Sequence, residues 1–132
     1  MDISTQELRD QIIHPTLEYL GKDGVGAENI LVAIAQQKAQ TLSHSQNTKG
    51  LGPYGIDSGT HQLVWDKYLA FEPDLASRIR GLASQRAFLV DPHSELATNL
   101  CYSTAIAWVV YILYPQVLQK KSKDESETTK VA

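Results

Sequence analysis

Four histidines, one cysteine and a run of closely spaced glycines are the residues of this sequence with the most chemistry to offer. His14, His44, His61 and His93 are spread along the chain. No two are four residues apart and no His-Glu-x-x-His run exists, so a metal site would have to be assembled from distant parts. No metal is expected. His61 is expected to bond to a neighbouring loop. Cys101 has apolar neighbours on a helix-forming stretch, which suits an inert core thiol rather than a nucleophile. As the one cysteine, it can form no internal disulfide. Gly50-Leu51-Gly52-Pro53-Tyr54-Gly55 has the glycines of a phosphate loop but lacks its Lys-Ser/Thr ending. No nucleotide or other cofactor is expected. Glu18, Glu28 and Glu95 have ordinary structural roles available on helices. Trp65, Tyr68 and Phe71 could form a shelf for a sugar, but their helical spacing favours a core role. Arg78, Arg80 and Arg86 read as a solvated helix face.

The chain that must position these residues is 132 residues long and has a net charge of −3. That suits one domain with its own core. The weak charge argues against nucleic acid as a partner. The N-terminus has neither a basic region nor an apolar stretch, so no signal peptide is expected there.

Apolar periodicity predicts an all-α domain. Leu8, Ile12, Ile13, Leu17 and Leu20 share one helical face over residues 6–20. Pro15 either kinks that helix or starts a second one. Gly21, Gly24 and Gly26 mark a turn. A second helix covers about 27–42, with Ile30, Leu31, Ile34 and Ala35 as its stripe and Glu28 in its first turn. Residues 43–60 read as a glycine-rich loop with room for a very short hairpin. Helices follow over about 60–70 and from Glu72-Pro73-Asp74 onward. Asp91-Pro92-His93-Ser94-Glu95 is the strongest helix start, and its helix is expected to run unbroken to about residue 114. Residues 96–119 carry no charge, yet Thr98, Asn99, Ser103 and Thr104 interrupt them and Pro115 closes the run. A buried core helix is the expectation there, with a membrane anchor as the competing reading. Leu31, Ile34, Leu69, Leu100, Ala105 and Trp108 are expected in the core. Residues 1–118 form the expected domain, and 119–132 a polar tail that orders only against a partner.

Four blocks carry a family resemblance. They are Ile13-His14-Pro15-Thr16-Leu17-Glu18-Tyr19-Leu20-Gly21 with Ala27-Glu28-Asn29-Ile30-Leu31, then Gly52-Pro53-Tyr54-Gly55-Ile56, then Thr60-His61 with Trp65-Asp66-Lys67-Tyr68-Leu69-Ala70. The fourth runs Asp91-Pro92-His93-Ser94-Glu95-Leu96-Ala97-Thr98-Asn99-Leu100 and on through Tyr102, Thr104, Ala105, Ile106 and Ala107. In this order and spacing, over about residues 8–115, the chain resembles the small lysozyme-like, transglycosylase-type proteins encoded by bacteriophages. The resemblance implies a compact lysozyme-like helical domain. It also implies a cleft near Gln37, Tyr54, Asp57, His61 and Trp65.

Family members carry a catalytic Glu near the end of the second helix. Glycosidic cleavage needs a carboxylic acid there to protonate the leaving oxygen as an oxocarbenium-like state forms. The matching position here is Lys38, or Gln37 if the register shifts by one. A lysine, with a reference pKa of about 10.4, is a poor acid at neutral pH, and its charge repels a cationic transition state. The family's glycine loop also leads into a Gln that is missing here, where Ile56 is followed by Asp57-Ser58-Gly59. Relatives continue into further helical sequence, and this chain ends in the polar tail. Asp57 is the strongest surviving acid, and a turn aspartate bonding its own backbone is the preferred reading of it.

The expectation is therefore a degenerate, non-catalytic bacteriophage structural or accessory protein, located in the virion. It would be made in the bacterial cytoplasm and act through other virion proteins in several copies, with peptidoglycan contact as a further option. A working muramidase and a membrane-tethered factor are the competing readings.

Overall fold

Pro15 shapes the first helical arm. Its ring would press on the carbonyl four residues back in a regular helix, and it has no N–H to donate. In the computed structural model, which describes residues 4–44 and 50–113 (side chains at 40–44 and 85 excepted), the arm has three pieces. Helix α1 (Thr5–Glu7) passes into a π-helical segment (Leu8–Ile13) and then into α2 (His14–Leu20). The wider π turns hold the carbonyl that Pro15 would otherwise crowd, so the arm continues without ending. Ser4 and Glu7 close its start as a reciprocal capping box. Gly21, at φ 75°, closes its end: Gly21 and Lys22 donate to the carbonyls of Glu18 and Leu17.

Helix α3 (Val25–His44) follows. Its Leu31 and Ile34 are buried. Leu51 and Ile56 then form an isolated antiparallel bridge around a tight turn, the short hairpin that the glycines suggested. There are no strands among the described residues. Helix α4 (Ser58–Lys67) starts where Asp57 Oδ1 accepts a 2.7 Å hydrogen bond from the Thr60 N–H. A 3-10 turn (Leu69–Phe71) leads to α5 (Pro73–Leu82), which carries its proline in the first turn as expected.

The chain then departs from expectation twice. A short helix, α6 (Gln85–Val90), capped by Ser84, fills a stretch with no predicted element. The long helix expected from Asp91 is broken. Residues 91–93 form a turn in which Asp91 Oδ1 accepts from the His93 N–H, α7 spans Ser94–Thr98, and α8 spans Leu100–Leu113. Asn99 makes the break. Its backbone is extended, its Oδ1 accepts from the Tyr102 N–H at 3.0 Å, and its Nδ2 donates to the Leu82 carbonyl and to Glu95 Oε1.

Helix α8 is the axis of the fold. It touches the π segment, α2, α3, α4, α5 and α7. A helix covered on so many sides must be apolar nearly all round. That explains the uncharged stretch: Tyr102 through Ala107, Val109 and Val110 are buried. No helix of the described residues is long and apolar enough to cross a membrane. Leu31, Ile34, Leu69 and Ala105 are core residues as expected, whereas Leu100 and Trp108 are only half-buried. Trp108 lies at the rim, with Lys22 Nζ 5.5 Å from its ring centre. The polar tail at 119–132 and the side chain of His44 lie outside the described residues.

Candidate functional site

The glycine turn settles one of the expected cleft residues, Tyr54. Gly52 (φ 73°) lies so close to the Leu96 carbonyl that a Cβ would stand 1.8 Å from its oxygen. Only glycine lets the turn dock there. Docking carries Tyr54 and Ile56 into the core, at 0% and 1% exposure. Thr104 Oγ1 spends its own hydrogen on the Leu100 carbonyl, so the Tyr54 hydroxyl is the donor in the 2.8 Å bond to Thr104. Burial holds the Tyr54 hydroxyl well above its usual pKa. Tyr54 is thus a structural core residue, not a wall of an open cleft.

Gly55 (φ 61°) faces Lys38: a Cβ at Gly55 would meet Lys38 Cδ at 3.1 Å. The aliphatic stem of Lys38 packs on the glycine turn, which in the resemblance follows the helix that carries the catalytic acid. The side chain is half-buried, and burial lowers the pKa of its amine. Gln37 is half-buried beside it and is engaged in an interaction of its own. Asp57, the weak alternative acid, caps α4. That is the turn-aspartate role preferred for it.

His61 and Trp65, the other two expected residues, are brought together by Tyr102, which the sequence placed in the fourth block but not in the cleft. Trp65 Nε1 lies 2.8 Å from Tyr102 Oη, and His61 Nε2 lies 2.7 Å from it. The other ring nitrogen of His61, Nδ1, is 2.8 Å from His93 Nδ1. An indole N–H can only donate. Placing the remaining hydrogens so that every contact is satisfied gives a one-way chain, in which Trp65 donates to Tyr102, Tyr102 to His61 and His61 to His93. These proton positions are assigned from the network. Phe88 of α6 stacks edge-on against both Trp65 and Tyr102, and the Arg80 guanidinium sits 4.2 Å from the Phe88 ring centre. Burial, and then the neighbouring His93, push His61 down to about 4, so it is neutral at physiological pH. Burial likewise raises the Tyr102 hydroxyl.

This arrangement limits the chemistry. His61 is 1% exposed and both of its nitrogens are used. It offers no lone pair to a substrate. The carboxylates nearest in role are also occupied. Glu95, 1% exposed, accepts from the Ser84 N–H at 2.7 Å and from Asn99 Nδ2 at 3.0 Å. Glu28, also buried, pairs with Arg9 at 3.3 Å and His14 at 2.6 Å. Most glycosidases use two carboxyl groups facing one cleft. Asp57, Glu28 and Glu95 are each tied to a backbone or side-chain partner. Among the described residues no group of three or more His, Cys, Asp or Glu could hold a metal ion. No family model, curated protein or solved structure matches the chain.

Proposed function

We propose that this chain is a non-catalytic bacteriophage virion protein, structural or accessory, on a lysozyme-like helical scaffold, and that it acts by protein–protein contact. One observation carries the non-catalytic half of this reading. The position that the resemblance gives to the general acid holds Lys38, half-buried and packed on Gly55. An amine there cannot protonate a glycosidic oxygen at neutral pH and then stabilise a cation beside it. The phage and virion setting is supported by the sequence resemblance. Action through contacts is supported by Leu89, Val90 and Phe71, large apolar side chains each more than 70% exposed.

Two measurements test the reading. Purified protein incubated with stripped cell walls is expected to leave turbidity unchanged. Lysis that Asp57→Asn abolishes would overturn it, because asparagine keeps the helix cap while removing the acid. Mass spectrometry of purified particles is expected to detect the chain, and its absence there would overturn the virion assignment.

A further inference from the structure

Helix α6 is held by one face and displays the other. Phe88 turns inward onto Trp65 and Tyr102. The next two residues, Leu89 and Val90, turn outward and are 77% and 81% exposed. Beside them lies an open groove of about 400 Å³, lined by Ser84, Arg86, Ala87, Val90, Asp91 and Ser94. Leu89 is not part of that lining, so the surface carries a projecting apolar residue and a separate hollow. Its charges are arranged in the same complementary way. Arg86 lies in the first turn of α6 and Asp91 at its C-terminal end, both exposed, and neither forms an ion pair among the described residues.

We propose that this surface pairs with the same surface of a second copy of the chain about a two-fold axis, with the two α6 helices antiparallel. A two-fold contact is reciprocal: if one residue touches a second, the second touches the first. Antiparallel pairing sets Arg86 of each copy against Asp91 of the other, which forms two ion pairs from four unpaired charges. It also offers the Leu89 of each copy to the hollow of the other. A parallel arrangement would oppose like charges. Leu89 and Val90 are the large exposed apolar side chains of this surface, few against the ~800 Å² per partner of a standard stable interface, so the association is concentration-dependent. The proposal goes beyond the virion reading and does not depend on it.

Sedimentation of the full chain over a range on the order of 10–500 µM tests this. A monomer–dimer equilibrium is expected, and Leu89→Asp is expected to weaken it at least about tenfold. Leu89 is exposed, so this variant keeps the fold, as circular dichroism would verify. The decisive experiment uses the charges. Arg86→Glu alone and Asp91→Lys alone each oppose like charges twice and are expected to remain monomeric. An equimolar mixture of the two variants matches every charge with its opposite and is expected to dimerise. A wild-type chain that stays monomeric throughout, a dimer indifferent to Leu89→Asp, or a mixture that fails to associate would each overturn the proposal.

Discussion

The Nδ1 atoms of His61 and His93 stand 2.8 Å apart, so one proton lies between the two rings. A second proton there would leave two N–H groups facing each other. Behind His61 the Tyr102 hydroxyl points its hydrogen at Nε2, which closes the other side to protonation as well. The charged groups around this network are Arg80, beyond Phe88, and Glu95, which acts on Tyr102.

The first prediction is an acid-side loss of stability. His61 is held at about 4 in the fold, against 6.5 when unfolded. The unfolded chain therefore binds the extra proton first as pH falls. The contribution of His61 is fully present above pH 6.5 and is lost progressively down to about pH 4, by up to about 3 kcal/mol. Denaturant unfolding at a series of pH values is expected to show this slope. Subtracting the profile of His61→Gln removes the carboxylates that titrate lower down. Identical slopes in the two proteins would rule the assignment out.

The second prediction concerns the opposite side of the pH scale. His14 Nδ1 is 2.6 Å from Glu28 Oε2, and that hydrogen bond is the main reason its pKa is raised. A raised folded value means stability present below pH 6.5 and lost as pH climbs through the folded pKa. Glu28→Gln is expected to bring the His14 titration, followed by its ring proton shifts, back toward 6.5. It also leaves Arg9 without its ion-pair partner. A His14 titration unmoved by Glu28→Gln would show that other charges set it.

These two clusters mark where the sequence is legible and where it is not. Apolar stripes are local, so helices α3 and α5 and the buried Leu31 and Ile34 follow directly from spacing. The glycines of the loop likewise announce a tight turn. Asn99 is different, because its break depends on bonds to Leu82 and Glu95, earlier in the chain, and to Tyr102 beyond it. Periodicity across 96–113 looks continuous and hides it. Helix α6, six residues long, is too short to display a period and is secured by Phe88 packing onto Tyr102. Of the expected cleft, the pairing of His61 with His93 spans 32 positions, and only the folded chain shows it. Tyr54 was legible as a turn residue, but its burial depends on Gly52 meeting Leu96.

The third prediction follows from the Asn99–Glu95 contact. Glu95 is buried and accepts from Ser84 and Asn99, which ties the start of α6 to the break between α7 and α8. Asn99→Ala removes three hydrogen bonds and leaves Glu95 with one partner fewer. A cost of about 1–3 kcal/mol is expected in equilibrium unfolding. Glu95→Ala is expected to cost a similar amount, and the double variant less than the sum, because each change removes the shared bond. Full additivity would show that the contact contributes nothing.

The last prediction concerns Lys38, whose stem and charge pull in opposite directions. The stem packs on Gly55, where a smaller side chain would leave a void. The amine is partly desolvated, which lowers its pKa and opposes the charged form. Methionine keeps a long unbranched stem and removes the charge. Lys38→Met is therefore expected to unfold at the same temperature as the parent or higher. Lys38→Ala is expected to unfold lower, since it gives up the packing. Lys38→Glu restores the acid that the resemblance calls for. Cell-wall clearing is still expected to be absent, because the glycine loop lacks the Gln that the resemblance calls for and its Asp57 is engaged as the cap of α4. Turbidity that falls with Lys38→Glu alone would mean that the rest of a catalytic site survives, and that a single substitution silenced it.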